Sequence, residues 1–280
     1  MSLEKISSKG LFHIVALDHR ESLKRILNPK NPKSVSRKIL EEVKLKLSKL
    51  FSSQASGILL DPIYGRPAIK AIRNKCGLLI SLEESGYKET EKGRINTLIK
   101  NFGPNEVKRM GGDAAKLLIY FNPKVKAAKQ QKKLVENVAT KCREMKLPLV
   151  CEILVYPYKE RNFEKEKGRL IIQSVKEVSK LGINLLKTEF PGKMGERAEV
   201  NCKKLTKVSK VPWVLLSKGI GFEEFKEQLK ISMEFGCSGF MVGRALWQSY
   251  FSIKNKEEFL KKVCLNRLKE LNEIASKKFI

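Results

Sequence analysis

Eight short apolar runs, each followed by a segment of helical periodicity, constrain the fold of this 280-residue chain more than any other feature. The runs are continuous stretches of leucine and β-branched residues without strict alternation, which is typical of parallel strands that are covered on both faces. We predict strands over Leu11–Leu17, Ser56–Asp61, Gly77–Ser81, Asp113–Tyr120, Leu147–Tyr156, Asn184–Phe190, Pro212–Ser217 and Ser238–Gly243.

The helical patterns between these runs are clearer than the runs themselves. Asn122-Pro123 is a start signal for one helix, and Gly182 and Gly236 stand where glycines that end helices belong. We predict helices over Ser34–Phe51, Arg66–Asn74, Pro104–Met110, Lys126–Met145, Lys165–Leu181, Gly221–Phe235 and Ile253–Ser276.

Repeated strand–helix units predict a parallel sheet with right-handed crossovers. Eight units in a chain of this length favour one closed (β/α)8 barrel, a TIM barrel, as a single domain over residues 1–280. The alternatives are a doubly wound open sheet and a chain of two smaller domains. No G-x-G-x-x-G follows the first run, which weakens a dinucleotide-binding version of the open sheet.

The composition bears on compartment and on metal or disulfide chemistry. No stretch approaches the ~20 apolar residues of a membrane span, and Met1–Gly10 is polar and lacks the apolar core of a secretory signal. A cytoplasmic protein with no membrane partner is therefore expected. The six cysteines include no C-x-x-C pair, so we expect reduced thiols and neither a disulfide framework nor a zinc site.

The charge is unusual: 57 lysine and arginine residues stand against 30 acidic residues, which gives a formal net charge of +27. Such an excess raises the alternative of a non-catalytic barrel that binds nucleic acid or another polyanion. The lysines are spread along amphipathic helices, as in Lys124–Lys133, and are not massed in one arm. We therefore expect a lysine-coated exterior that attracts small anionic substrates, without specific nucleic-acid binding.

Active sites of such barrels lie at the carboxyl ends of the strands, so the residues at the end of each run are informative. Three charged residues, Lys116, Glu152 and Lys187, lie inside the fourth, fifth and sixth runs. A buried charge costs several kcal/mol unless it is paired. Lys116 and Glu152 could be a structural ion pair, and a strand-end lysine could extend to solvent. Three such residues on neighbouring strands favour a catalytic role over a purely structural one.

These three residues suggest amine catalysis. A lysine is a nucleophile only when its amine is neutral, and desolvation and a nearby cation both favour the neutral form. Lys187 has apolar neighbours Leu185 and Leu186, and Lys116 is expected two strands away on the same side of the barrel. Glu152 lies between them and is placed for general acid–base catalysis. The set predicts a Schiff-base site.

A phosphate site is expected at the seventh and eighth strands, whose loops hold phosphate in many barrels. Glycines there let backbone N–H groups approach the oxygens, and an arginine offers a forked donor. Ordinary turn formation is the alternative explanation of the glycines. The candidate phosphate ligands are Ser217, Lys218, Gly219, Gly243 and Arg244.

Metal-dependent chemistry is not expected. Metal sites for aldol chemistry usually draw on several imidazoles, and this chain has two histidines, of which His13 lies inside the first predicted strand as a core residue.

The sequence resembles the class I tagatose-1,6-bisphosphate aldolases and the related sulfofructose-phosphate aldolases nearly from end to end. The order and spacing of several motifs carry the resemblance, although the family often has glutamine where His19 follows Asp18. The motifs are Ala16-Leu17-Asp18-His19-Arg20-Glu21-Ser22-Leu23, Leu59-Leu60-Asp61-Pro62-Ile63-Tyr64-Gly65, Glu83-Glu84-Ser85-Gly86-Tyr87, Gly112–Tyr120, Leu185-Leu186-Lys187-Thr188-Glu189-Phe190-Pro191 and Gly243-Arg244-Ala245-Leu246-Trp247.

The resemblance implies that Lys187 forms the Schiff base, that Glu152 transfers protons, and that Asp18 and Lys116 line the site. Ser217, Gly219, Gly243 and Arg244 would hold the phosphate of dihydroxyacetone phosphate. No cofactor or metal is then needed beyond the covalent lysine adduct. The substrate would be a phosphorylated ketose that yields dihydroxyacetone phosphate and an aldehyde, with the aldehyde half and the C4 stereochemistry left open.

Lys218 departs from the family, which commonly has a small residue there, and it could add a phosphate contact. The sequence around Lys187-Thr188 is also similar to deoxyribose-phosphate aldolases, which place a second lysine on strand seven. Deoxyribose-phosphate and fructose-bisphosphate aldolase activities are therefore the alternatives. Barrels of this kind often form homo-oligomers, an assembly that the sequence leaves open.

Overall fold

A computed structural model describes residues 1–159, 162–195, 197–253 and 255–277. Within these ranges, eight parallel strands close into a barrel in the order β1-β8-β7-β6-β5-β4-β3-β2. The predicted (β/α)8 barrel is confirmed. Its strands are β1 (Phe12–Leu17), β2 (Gly57–Leu60), β3 (Gly77–Ser81), β4 (Ala114–Tyr120), β5 (Leu149–Leu154), β6 (Leu185–Thr188), β7 (Trp213–Leu215) and β8 (Gly239–Val242).

The helices surround the barrel. They are α1 (Glu21–Leu27), α2 (Arg37–Phe51), α3 (Arg66–Ile72), α4 (Pro104–Arg109), α5 (Ala127–Glu144), α6 (Phe163–Val178), α7 (Ala198–Val208), α8 (Phe222–Glu234), α9 (Arg244–Trp247), α10 (Lys256–Glu258) and α11 (Leu265–Ser276). Six of the seven predicted helices are present, and the seventh is interrupted. Ser36 caps α2 by accepting a hydrogen bond from Ile39 N, so α2 begins three residues later than predicted.

Three helices, α1, α7 and α9, were not predicted. The buried face of α7 consists of Ala198, Cys202 and Leu205, which lie at helical spacing, so the pattern was present in the sequence. The two other helices are seven and four residues long and carry too little periodicity to stand out.

The last predicted helix, Ile253–Ser276, is not continuous, and its residue Lys254 lies outside the described residues. A π-helical segment over Phe259–Cys264 separates α10 from α11. The long connection predicted over residues 82–104 contains a short antiparallel hairpin, Lys88–Thr90 with Gly93–Ile95.

Side chains alternate across each strand, so the two faces of the barrel wall carry different apolar layers. Ile14, Leu79 and Val150 lie in the interior cluster, while Val15, Ile80 and Cys151 pack against the helices. Both layers are buried, which explains why the sequence of the strands shows no alternation. On β4 the same rule directs Lys116 into the barrel and its neighbours Ala115 and Leu117 outward.

Several smaller expectations have visible outcomes. His13 lies in β1 as a buried residue whose ring stacks on Phe240, with 5.6 Å between ring centroids, as expected of a core histidine. Five cysteines among the described residues are buried, and Cys76 is partly exposed. No helix in the described part of the chain is long and apolar enough to cross a membrane.

A buried ion pair supports the carboxyl end of β1 from outside the barrel. Lys44 of α2 lies 2.8 Å from Asp61, and the side chains are 1% and 0% exposed. The Lys44 amine also donates hydrogen bonds to the carbonyl oxygens of Leu17 and His19, which flank Asp18. Asp61 in turn accepts hydrogen bonds from the backbone N–H groups of the turn that follows β2. This pair therefore fixes the two strand ends together.

Replacing Lys44 should destabilise the protein strongly. Lys44→Met leaves the Asp61 carboxylate buried without its partner, which should lower the free energy of unfolding by about 3–5 kcal/mol in urea denaturation. Lys38→Met on the same helix removes a lysine whose side chain is 85% exposed, and it should change stability by at most about 0.5 kcal/mol. Equal losses in the two variants would contradict this role of the pair.

Candidate active site

The residues predicted for the active site line one cavity at the carboxyl ends of the strands, with a volume of about 330 Å³. Each of the nine predicted residues contributes to its wall. They are Asp18, Lys116, Glu152, Lys187, Ser217, Lys218, Gly219, Gly243 and Arg244.

Glu152 joins the two lysines. Its Oε2 atom lies 2.8 Å from the Nζ atom of Lys187 and 2.8 Å from that of Lys116. The side chains of Lys116 and Lys187 are 3% and 5% exposed. Strand register produces this arrangement, because Glu152 pairs with Lys187 between β5 and β6 and with Leu118 between β4 and β5. A single carboxylate oxygen can therefore exchange protons with either amine.

Lys116 contacts two further carboxylates in the described structure. Asp18 lies 2.8 Å away at the end of β1, and Glu83 lies 2.6 Å away in the connection after β3. The ammonium of Lys116 thus has a carboxylate for each of its N–H donors. The suggested structural pair of Lys116 with Glu152 is present, but as part of a larger network that includes Lys187.

Glu83 is a charged site residue to which sequence reasoning assigned no role. It is buried, and its second oxygen accepts a hydrogen bond from Leu118 N at 3.0 Å. Its backbone carbonyl accepts a hydrogen bond from the Arg20 guanidinium. The signal was present in the sequence, since Glu83 stands two residues beyond the apolar run that ends at Ser81.

Mutual charge stabilisation outweighs burial in this network. Burial alone would raise the pKa of Asp18, but the charges of Lys116 and Lys187 hold that pKa well below its usual range. The pKa of Glu152 is lowered in the same way, against burial, by the same two lysines. Burial opposes the charge on Lys116, yet Asp18, Glu152 and Glu83 raise its pKa well above the usual value. Asp18, Glu152 and Lys116 are therefore charged at neutral pH.

His19 lies beside this network. Its ring meets Trp247 edge-on at 5.3 Å and approaches the backbone of Gly243, where a Cβ atom would lie 2.7 Å from His19 Cε1. Burial lowers the pKa of His19 to about 3, against the opposing charge of Asp18. His19 is therefore a neutral imidazole at neutral pH.

The expected phosphate loop has the backbone form that such a site needs. Lys218 and Gly219 have left-handed φ angles of 48° and 89°. A Cβ atom at Gly219 would lie 2.7 Å from Cζ of Arg244, so glycine is needed for the guanidinium to approach the loop. Arg244 also donates a hydrogen bond to the Lys218 carbonyl oxygen at 3.0 Å. The two candidate phosphate segments thus lie against each other.

The amine of Lys218 makes a contact that the sequence did not indicate. It lies 2.6 Å from Glu189, a buried carboxylate two residues beyond Lys187. Glu189 also lies 3.2 Å from Lys167 and accepts a hydrogen bond from Val155 N at 3.0 Å. In the free protein Lys218 therefore fastens the loop after β7 to the end of β6.

Comparison with known families determines the family of the protein. The family model described as "DeoC/LacD family aldolase" matches residues 12–249. The chain belongs to this family. It is an aldolase, a carbon–carbon lyase, and the resemblance noted in the sequence is confirmed.

Named relatives of this DeoC/LacD family aldolase align over nearly all of its length. The tagatose 1,6-diphosphate aldolase of Staphylococcus epidermidis is 28% identical and aligns over 98% of this chain and 94% of its own. The tagatose 1,6-diphosphate aldolase of Listeria monocytogenes serotype 4a is 30% identical over 91% of this chain and 83% of its own.

Solved structures show the same fold at low identity. A Schiff-base-forming fructose-1,6-bisphosphate aldolase superposes with a TM-score of 0.69 at 19% identity, covering 98% of this chain and 97% of the other. An archaeal fructose-1,6-bisphosphate aldolase, solved with its catalytic lysine bound to a carbinolamine intermediate, gives 0.67 at 18% identity and 96% coverage of each chain.

The two histidines give a direct test of the electrostatics. Proton NMR of the native protein should show His19 neutral down to about pH 3, whereas the urea-unfolded chain should titrate near the ordinary value of ~6.5. Since the folded pKa is the lower one, the native state should lose stability as the pH falls from about 6.5 towards 3. Burial also lowers the pKa of His13, and a native His19 resonance that titrates between pH 6 and 7 would contradict this structure of the site.

Proposed function

We propose that the protein is a class I aldolase in which Lys187 forms a Schiff base with a phosphorylated ketose. The observation that carries the proposal is the 2.8 Å contact between Lys187 Nζ and Glu152 Oε2 inside the cavity, with Lys116 bound to the same oxygen. Lys187 is a buried amine in direct contact with a group that can take its proton. Structural neighbours include aldolases that are described as Schiff-base-forming, which agrees with the proposal.

The adduct forms through proton transfer along this contact. Glu152 takes a proton from Lys187, and the neutral amine attacks the carbonyl carbon of the ketose. The C–N bond forms, the carbonyl oxygen receives protons in turn, and water leaves, so that a protonated imine remains. The charge of the ammonium has then become the charge of the iminium, and no metal or external cofactor is required.

Cleavage uses the same carboxylate. Glu152, directly or through a water molecule, removes the proton of the C4 hydroxyl, and the C3–C4 bond breaks as its electrons pass to the iminium. The aldehyde leaves, the resulting enamine is protonated at carbon, and hydrolysis releases dihydroxyacetone phosphate and the free lysine. Asp18 and Lys116 line the cavity around the reacting carbons.

The phosphate of the dihydroxyacetone half is assigned to Ser217, Gly219, Gly243 and Arg244, with Lys218 as a further candidate. The proposal is supported by the cavity wall that these residues share with Lys187 and by the contact of Arg244 with the loop. The net charge of +27 favours the approach of an anionic substrate.

The relatives' names suggest a ketose bisphosphate of the tagatose type, and we propose this class of substrate. A sulfofructose-phosphate, fructose-bisphosphate or deoxyribose-phosphate substrate is the alternative within the same chemistry. A panel of aldehyde acceptors with dihydroxyacetone phosphate, followed by product stereochemistry, distinguishes the tagatose, sulfofructose and fructose substrates from one another. Condensation of acetaldehyde with glyceraldehyde phosphate identifies deoxyribose-phosphate aldolase activity.

Borohydride trapping tests the proposed nucleophile. Incubation with dihydroxyacetone phosphate and sodium borohydride should add the mass of the reduced triose phosphate to the peptide that contains Lys187. Lys187→Met should abolish both the adduct and turnover, because no amine remains to attack the ketone.

Lys141→Met, on the exposed side of α5, should leave adduct formation and turnover unchanged. Adduct formation on another lysine, or undiminished turnover in Lys187→Met, would refute the assignment. A protein that forms no adduct but binds nucleic acid with steep salt dependence would instead be the polyanion-binding barrel.

Removal of the Arg244 guanidinium tests the phosphate site. Arg244→Met should raise the KM for dihydroxyacetone phosphate by about 10- to 100-fold, since a charge-assisted contact is worth ~1.5–3 kcal/mol. Steady-state kinetics measures this KM, and borohydride trapping at saturating ketone should still show the adduct on Lys187. Arg169→Met removes an exposed arginine of α6 and should have no effect, and a similar KM in the two variants would argue against phosphate binding at Arg244.

A further inference from the structure

Glu83 presents an unexplained feature of the site: a buried carboxylate that reaches Lys116 from outside the barrel strands. The connection that carries Glu83 follows β3 and crosses to the end of β4. Glu83 is held there by both its side chain and its backbone. The side-chain oxygen Oε2 accepts from Leu118 N at 3.0 Å, while the backbone carbonyl accepts from Arg20. Glu83 is therefore fixed in place before any substrate enters.

The surrounding chain holds Glu83 by backbone contacts as well. Glu83 forms an isolated antiparallel bridge with Leu98, and Glu84 N donates to the carbonyl oxygen of Thr97 at 2.8 Å. Two sides of the connection thus brace each other and hold the backbone of Glu83 beside the end of β4.

The charges in the network explain why a third carboxylate is useful. Asp18, Glu83 and Glu152 carry three negative charges, and Lys116 and Lys187 carry two positive charges when protonated. When Glu152 takes the proton of Lys187, it ceases to balance Lys116. Asp18 and Glu83, at 2.8 Å and 2.6 Å, still neutralise and anchor that ammonium. Without Glu83 the network would lose one negative charge, and protonation of Glu152 beside Lys116 would become less favourable.

We propose that Glu83 is a positioning residue that compensates and fixes Lys116, which frees Glu152 to carry the proton of Lys187. The proposal rests on the function proposed above and names a part of its machinery that acts through Lys116. If Glu83 is made neutral, the charge of Lys116 falls more heavily on Glu152 and opposes its protonation. Schiff-base formation then slows, while the phosphate contacts that determine ketone affinity are unchanged.

The test is the rate at which the borohydride-trappable adduct forms in a single turnover with dihydroxyacetone phosphate. Glu83→Gln keeps the shape of the side chain and removes its charge, and it should slow adduct formation by about 10- to 100-fold. The KM for the ketone should change by less than about threefold, since a loss confined to the chemical step lowers kcat.

A pH profile separates this role from a structural one. The acid limb of the adduct-formation rate reports the ionised form of Glu152, and it should move to lower pH in Glu83→Gln, because Lys116 then holds Glu152 ionised more strongly. The groups that face Glu152 from the packed strands and loops remain unaltered in this variant. They are Lys116, Lys187, Asp18, Tyr120 and Arg244.

Two further variants complete the experiment. Glu83→Asp retains the charge on a shorter side chain and should recover part of the rate, which also covers the case in which Glu83→Gln folds poorly. Glu89→Gln removes one negative charge from the same connection, where its side chain is 62% exposed, and it should behave like the unaltered protein.

The outcomes are distinct. An unaltered rate and acid limb in folded Glu83→Gln, or the same losses in Glu89→Gln and Glu83→Gln, would overturn the assignment of Glu83. Absence of any adduct in the unaltered protein would instead refute the proposed Schiff-base function itself.

Discussion

One carboxylate oxygen in contact with the amines of two buried lysines is the constraint on which this site depends. Glu152 Oε2 contacts Lys116 and Lys187 at 2.8 Å in the buried interior of the barrel. Charges buried in this way destabilise a fold unless each has a partner. The surrounding features of the site supply those partners, with Asp18 from β1 and Glu83 from the connection after β3. Stability and chemistry therefore place the same demand on these residues.

The closed barrel brings these charged partners together through the register of its strands. Parallel strands with fixed pairing bring Glu152 opposite Lys187, and side-chain alternation directs Lys116 to the same interior. Support also comes from outside, where the Lys44–Asp61 pair holds the carbonyl groups on either side of Asp18. A rigid scaffold of this kind keeps catalytic groups at hydrogen-bonding distance before the substrate arrives.

The side of the cavity that we propose for phosphate binding carries the individual features of this chain. His19 stands where the resembling family often has glutamine, and its neutral ring packs against Gly243. Lys218 stands where that family commonly has a small residue, and its amine is paired with Glu189. These residues differ in chemistry from the family pattern while the reacting set of Lys187, Glu152 and Lys116 keeps it.

The sequence by itself determined the eight strands and most of the helices around them, the charged residues in the fourth to sixth strands and the glycine-rich loops, because each is a local pattern of polarity or backbone freedom. It did not yield α7 or the contact of Glu83 with Lys116, and Glu83 lies in an irregular connection. Tertiary structure alone decided that Glu83 turns inward to Lys116 and that Lys218 turns to Glu189. The physical reason is that these contacts join segments distant in the chain, and ion pairing across such distances depends on how the barrel closes.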